Sequence, residues 1–508
     1  MLRIKKNLPI VLLFALIGAY FIFLQWSTTF PDPDSFYHIK MATLMQKDLI
    51  IKNFPWIQFA DFTNNFTDHH FLYHVLLIPF TFIFPPLLGG KIATTLFALL
   101  AIIVFYLFLK KWQIKSPIFF TLILLSSAPF IFRINLAKAN VLSIIMLLLL
   151  TSLLWRKKYF WLAVLSFIYV WLYDGWIMTL LLIFSFNCAL YITQKKIEWL
   201  TIISAFFGLV LGMIINPFFP NNFKFYWQHI IQIGVINYKD IIRVGMEWYP
   251  YPPLDLFANN IFVFLIIIAA FTLLIFRVIK NQRLNPLNIK NDFTKIFTLF
   301  IFASILGLLT IKSQRFVEYF TPFSLLAGIF LFDLLCPQNF SFKDYINTSF
   351  KAKNKINLAL IIYLLTVFVL FFALNTVNIQ KQLTAKYQWN YLENAANWLK
   401  KNTPEGSLVF NINWGDWPML FFHNDHNTYI NGLDPTFFYL KNKALYQEWV
   451  EIGQGKTKNE LAEKIKNNFG AEWILVKSDE IEFLNSLKNK NNFELKFNDA
   501  ETRIFFIK

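Results

Sequence analysis

Two carboxylates flank a proline in PDPDSFYHIK, residues 31–40, just after the first apolar run. Asp32 and Asp34 can take a proton from a nucleophile or hold a divalent cation through oxygen, with His38 and Lys40 close behind. The competing reading is a helix start, with Asp34 or Ser35 as the N-cap. A second polar stretch, DFTNNFTDHHFLYH at 61–74, offers Asp61, Asp68, His69, His70 and His74 to a metal or a phosphate. His70 and His74 are four apart and share a helical face, as neighbouring histidines of an interfacial helix also do.

Three further stretches carry ionisable groups in apolar surroundings. Glu247 is a lone acid in VGMEWYPYPP, suited to lying over a site like a flap or to being an ordinary loop acid. Arg315 and Glu318, in IKSQRFVEYFTP, stand at the mouth of an apolar run. There an ionisable side chain must be paired or functional, and guanidinium geometry suits phosphate oxygens. An Arg315–Glu318 ion pair is the structural alternative. Finally, FNINWGDWPMLFF places Trp414, Asp416 and Trp417 on a turn after a strand, where binding residues often lie. Asp416 as a helix cap is the alternative there.

The elements that must position these groups are read from composition. Of 508 residues 56% are apolar and 15% charged, against about 25% charged in soluble domains. A soluble fold could not solvate that surface, and two cysteines exclude a disulfide scaffold. The net charge of +17 lies in clusters between apolar runs and does not call for nucleic acid. Runs of about 20 apolar residues read as membrane spans. They fall near 8–26, 91–109, 117–133, 139–155, 159–173, 176–193, 198–217, 260–278, 295–312, 316–336 and 357–375, eleven in all. Residues 70–88, with two histidines and paired prolines, read as an interfacial helix. Alternation then puts Arg3–Lys6, Lys110–Lys115, Arg156–Lys158, Lys195–Lys196, Arg277–Lys295 and Lys343–Lys355 on one side, the cytoplasmic one. The first run reads as an uncleaved anchor with a cytoplasmic N-terminus, in the inner membrane.

The expected organisation is a polytopic helical membrane domain over 1–375, with large outer loops at 27–90 and 218–258, and an extracytoplasmic α/β domain over 376–508. All seven histidines fall in the outer pieces. Within the tail, the patterning predicts a helix over Tyr387–Lys401 and a strand over Ser407–Ile412. Helices near 441–452 and 457–468, a strand over Ala471–Lys477 and a closing hairpin follow.

The set resembles the GT-C membrane glycosyltransferases, and within them the catalytic subunit of oligosaccharyltransferases. Asp34, with Phe36, Tyr37 and Lys40 after it, is similar to that family's acidic motif outside the first span. Glu247 before Trp-Tyr-Pro is similar to its flap glutamate, Arg315 to its lipid-phosphate arginine, and Trp414-Gly415-Asp416-Trp417-Pro418 to its acceptor-reading motif. The family's second acidic motif should fall near Arg133–Asn140, where this sequence has RINLAKAN. The resemblance implies sugar or oligosaccharide transfer from a polyprenyl (pyro)phosphate to a protein or glycolipid on the outer face. It implies Asp34, Asp32 and Glu247 as catalytic, Arg315 and Lys40 on the donor phosphate, and Trp414, Asp416 and Trp417 on the acceptor. A divalent cation, Mg or Mn, would draw on Asp34, His38, His69 and His70. Transfer of a single sugar from a polyprenyl monophosphate is the alternative within the class, and a non-catalytic polysaccharide or lipid transporter lies outside it.

Overall fold

The computed structural model describes all residues except Met1, Asp61, 63–64, 281–288, 337–354, Lys458 and 489–490, and only the backbone of 2–7, 289–291 and 355–358. Asp61 and most of the basic stretch 343–355 therefore lie outside the described residues. The chain divides into two compact units. One comprises Met1–Ser27, Ala93–Met213 and Glu247–Ala385, the other Thr28–Ile92, Ile214–Met246 and Lys386–Lys508.

The first unit is helical. Every one of the eleven apolar runs forms helix, but among the described residues seven helices are long and apolar enough to cross a bilayer. The expectation of eleven full spans is thus corrected. Run 117–133 is two helices, Pro117–Leu125 and Ala128–Ile134, bent by 82°. The break has a local cause: Ser127 caps the second helix by accepting the Phe130 N–H, and Pro129 sits in its first turn, where a missing N–H costs nothing. Asn140–Trp155, Tyr159–Leu172 and Trp199–Ile214 have only 14 to 16 residues, about 24 Å at most. The helix beginning at Lys355 runs on to Thr384, so the predicted boundary at 375 falls inside a helix.

The second unit gathers both large loops and the tail. Its five-stranded sheet runs Thr428–Tyr429, Leu408–Asn411, Trp473–Lys477, Thr502–Ile507, Phe493–Asn498. The first three are parallel and the last two join antiparallel. The predicted hairpin closes because Asp499 Oδ1 accepts the N–H groups of Glu501 and Thr502, at 3.0 and 2.7 Å. Where one helix was expected over 387–401, Tyr387–Gln388 instead pairs antiparallel with Thr29–Phe30, and the helix is Glu393–Asn402. The first loop also extends the sheet, the Gln58 N–H donating to Tyr429 O at 3.0 Å. Phe71–Ile83 is a helix of 13 residues, too short to span.

Candidate functional site

In the helical unit the bend at Ser126–Ser127 ends in a polar turn. Arg133 lies in the last turn of the short helix, Lys138 in the turn itself, and Asn140 opens the next helix. Arg133 bridges two acids. Its Nε donates to Glu318 Oε2 at 2.6 Å and its Nη1 to Glu247 Oε2 at 2.9 Å. Asn140 Nδ2 donates to the same Glu318 oxygen at 2.7 Å, and Lys138 Nζ stands 3.7 Å from Glu247. Glu318, fully buried in the first turn of Val317–Leu335, sits where a helix favours negative charge.

Glu247 is held in place by its own backbone: its carbonyl accepts the Ser313 hydroxyl at 2.8 Å, and the Gln314 N–H donates to Tyr249 O. That seam brings Arg315 beside it. Arg315 Nη2 donates to the Tyr173 hydroxyl at 2.8 Å, its Nη1 is 4.0 Å from Glu247 Oε1, and its guanidinium carbon lies 4.4 Å over the Trp248 ring. Three cations thus gather around Glu247 and Glu318, and buried Asp174, next to Tyr173, also acts on Arg315. Burial pushes the Glu247 carboxyl up, but Lys138, Arg315 and Arg133 outweigh it and hold the group well below the usual carboxylate range. Glu247 is therefore an anchor for cations and a poor proton acceptor near neutral pH. The predicted Arg315–Glu318 pair is replaced by Arg133–Glu318. Sequence reasoning missed Arg133, Lys138 and Asn140 because it looked for a carboxylate there. The signal that marked them was two cations within six residues of an apolar run.

In the second unit, Asp34 opens the helix Asp34–Leu44, its N–H donating to Asp32 Oδ1 at 2.9 Å. Both acids keep partly exposed side chains. One turn on, His38 is buried and its Nδ1 lies 2.8 Å from His74 Nε2, while His74 Nδ1 lies 2.7 Å from Asp68 Oδ2. With Asp68 ionised, His74 carries its proton on Nδ1, and its Nε2 accepts from His38 Nδ1–H. His70 and His74 share a face as expected, their ring centroids 6.0 Å apart, and His74 also joins Asp68 to His38. Of the expected ligand set Asp34, His38, His69 and His70, His38 has its Nδ1 engaged with His74. Among the described residues no three such side chains converge on a metal position.

Lys40, expected on the donor phosphate, is 3.0 Å from Asp425 Oδ2, so its charge is already matched. Trp417 is fully buried and stacked on Phe421, with ring centroids 4.8 Å apart, and its indole N–H donates to Trp56 O. It is a core side chain with no face to offer an acceptor, which corrects the expectation. Trp417→Ala should cost about 3–5 kcal/mol of stability, measured as a lower melting midpoint. Trp414 stays partly exposed, its indole N–H donating to Arg243 O at 3.1 Å.

Asp416 is buried 3.5 Å from Lys477 Nζ. Burial raises its carboxyl to about 6 despite Lys477, and burial likewise raises Glu480 to about 7. Carboxyls raised on folding destabilise the fold when ionised, fully so above the folded values and progressively less as the pH falls through about 7 and 6. The double variant Asp416→Asn, Glu480→Gln should therefore melt several degrees above the natural chain at pH 8, with the gap closing toward pH 5. Taking the difference removes His70, which burial holds well below its usual value and whose contribution has the opposite sign.

No family model and no curated sequence matches the chain. Solved structures do. The archaeal oligosaccharyltransferase AglB from Archaeoglobus fulgidus, in complex with an inhibitory peptide and a dolichol-phosphate, matches with a TM-score of 0.64 at 12% identity, over 93% of this chain and 70% of that one. ArnT from Cupriavidus metallidurans, bound to undecaprenyl phosphate, matches with a TM-score of 0.61 at 14% identity, over 97% of both chains. The arabinofuranosyltransferase AftD from Mycobacteria gives 0.53 at 10% identity, over 97% of this chain and 40% of that protein. The chain shares the fold of these proteins.

Proposed function

We propose that this protein transfers a sugar or oligosaccharide from a polyprenyl-phosphate carrier to an acceptor on the outer face of the cytoplasmic membrane, with its N-terminus in the cytoplasm. The observation that carries the reading is the buried cluster of Arg133, Lys138 and Arg315 with Glu247 and Glu318. Its guanidinium and ammonium groups suit phosphate oxygens, and fixed cations in a water-poor site stabilise a leaving phosphate without reorganising. Arg315, stacked on Trp248 and bonded to Tyr173, is oriented before any ligand arrives. Asp34 is the partly exposed carboxylate assigned to take the proton of the acceptor nucleophile. The bond between sugar C1 and phosphate oxygen breaks, the bond from C1 to the acceptor forms, and the acceptor proton goes to Asp34. The acceptor is a protein or a glycolipid.

A single-sugar monophosphate donor is favoured by one feature. The turn 133–140 carries Arg133 and Lys138, both engaged with Glu247, in the place where the oligosaccharyltransferase resemblance expects a second acid. The test is incubation of the purified chain with radiolabelled polyprenyl monophosphate and pyrophosphate sugars and membrane acceptors. Label should leave the lipid with the monophosphate donor. Release from neither donor by any acceptor fraction would sink the reading.

A further inference from the structure

Glu318 and Asn140 form a hydrogen-bonded pair in which one oxygen on each is left over. Glu318 Oε2 accepts from Arg133 Nε and Asn140 Nδ2. The Asn140 amide orientation is set by its network, since Nδ2 also donates to Arg133 O at 3.0 Å and faces only acceptors. Glu318 Oε1 and Asn140 Oδ1 remain, both buried and with no hydrogen-bond partner among the described residues. The residues themselves are 0% and 1% exposed, so bulk water does not serve them. Burying an acceptor without a donor is costly, and a carboxylate oxygen more so than an amide oxygen. The short Asn140–Glu318 hydrogen bond keeps the two oxygens within about the width of a sugar ring.

We infer that these two oxygens are a donor-sugar subsite that takes hydroxyl groups of the sugar; this rests on the lipid-phosphate reading above. Both atoms only accept, so the ligand must supply O–H or N–H. The surroundings choose between a neutral and a cationic group. Arg133 lies 2.6 Å from the same carboxylate, so a sugar ammonium at Glu318 would meet the guanidinium already paired with it. A neutral polyol satisfies the oxygens without that repulsion. A hydroxyl network flanks the pair: Ser143, one turn after Asn140, bonds Tyr169 and Tyr319, and Tyr319 follows Glu318 in the chain.

The experiment uses the full chain in detergent and four probes: undecaprenyl phosphate alone, and the same lipid phosphate carrying glucose, mannose or glucosamine. At least one neutral hexose should bind about tenfold more tightly than the bare lipid phosphate, as expected for hydroxyls meeting a buried carboxylate. Asn140→Ala and Glu318→Gln should each erase that gain. The melting midpoint of each variant identifies one that has failed to fold, and the other then carries the test. The subsite is overturned if the hexose gain is absent, if it survives both substitutions, or if glucosamine binds more tightly than glucose; any of these would leave the oxygens to a buried water. Failure of bare undecaprenyl phosphate to bind would instead sink the proposed function.

Discussion

Asp34→Asn should lower sugar transfer by about 10²- to 10⁴-fold, the range spanned by removal of a general base. The substitution keeps size and leaves the turn intact, because the contact that shapes it runs from the Asp34 N–H to Asp32 Oδ1 and does not use the Asp34 side chain. Donor binding should therefore persist, and the loss should fall on the catalytic rate. Asp32→Asn disturbs that turn contact without removing the proposed base, so its effect should be smaller. The assay is transfer of radiolabel from a lipid-linked sugar, with binding of undecaprenyl phosphate measured alongside. Transfer at the natural rate in Asp34→Asn would remove this carboxylate from the mechanism.

Arg133→Met should be the most damaging substitution in the helical unit. Arg133 hydrogen-bonds both glutamates of the cluster. Removing one partner of a buried pair leaves an uncompensated charge and costs about 3–5 kcal/mol. Here one deletion strips an arginine from two acids, of which Glu318 is fully buried. Lipid-phosphate affinity should fall with stability, because the site loses one of its three cations. The double variant Arg133→Met, Glu318→Gln separates the two effects. Neutralising the stranded acid should recover part of the melting midpoint but none of the phosphate affinity. Equal recovery of both would mean that the cluster is a packing device and not an anion site.

Much of the molecule follows from local sequence. Apolar runs set the helices, because a segment facing lipid must satisfy its backbone internally. Alternation and turn chemistry set the tail strands, and Asp499 closes their hairpin as its side chain dictates. Other outcomes turn on partners remote in the chain. An apolar run announces a helix but not its continuity, and the 82° break depends on a serine cap and a proline whose effect is geometric. Trp417 reads as a turn-tip binding residue until Phe421 and the Trp56 carbonyl enclose it. Asp34, Glu247 and Arg315 were visible as ionisable groups in apolar surroundings, where such groups are expensive. That Glu247 serves Arg133 and Lys138, and that His74 joins Asp68 to His38, was decided only by tertiary structure. Charge pairing and tautomer depend on distances of a few ångströms between residues from 6 to 114 positions apart, and no local pattern encodes those distances.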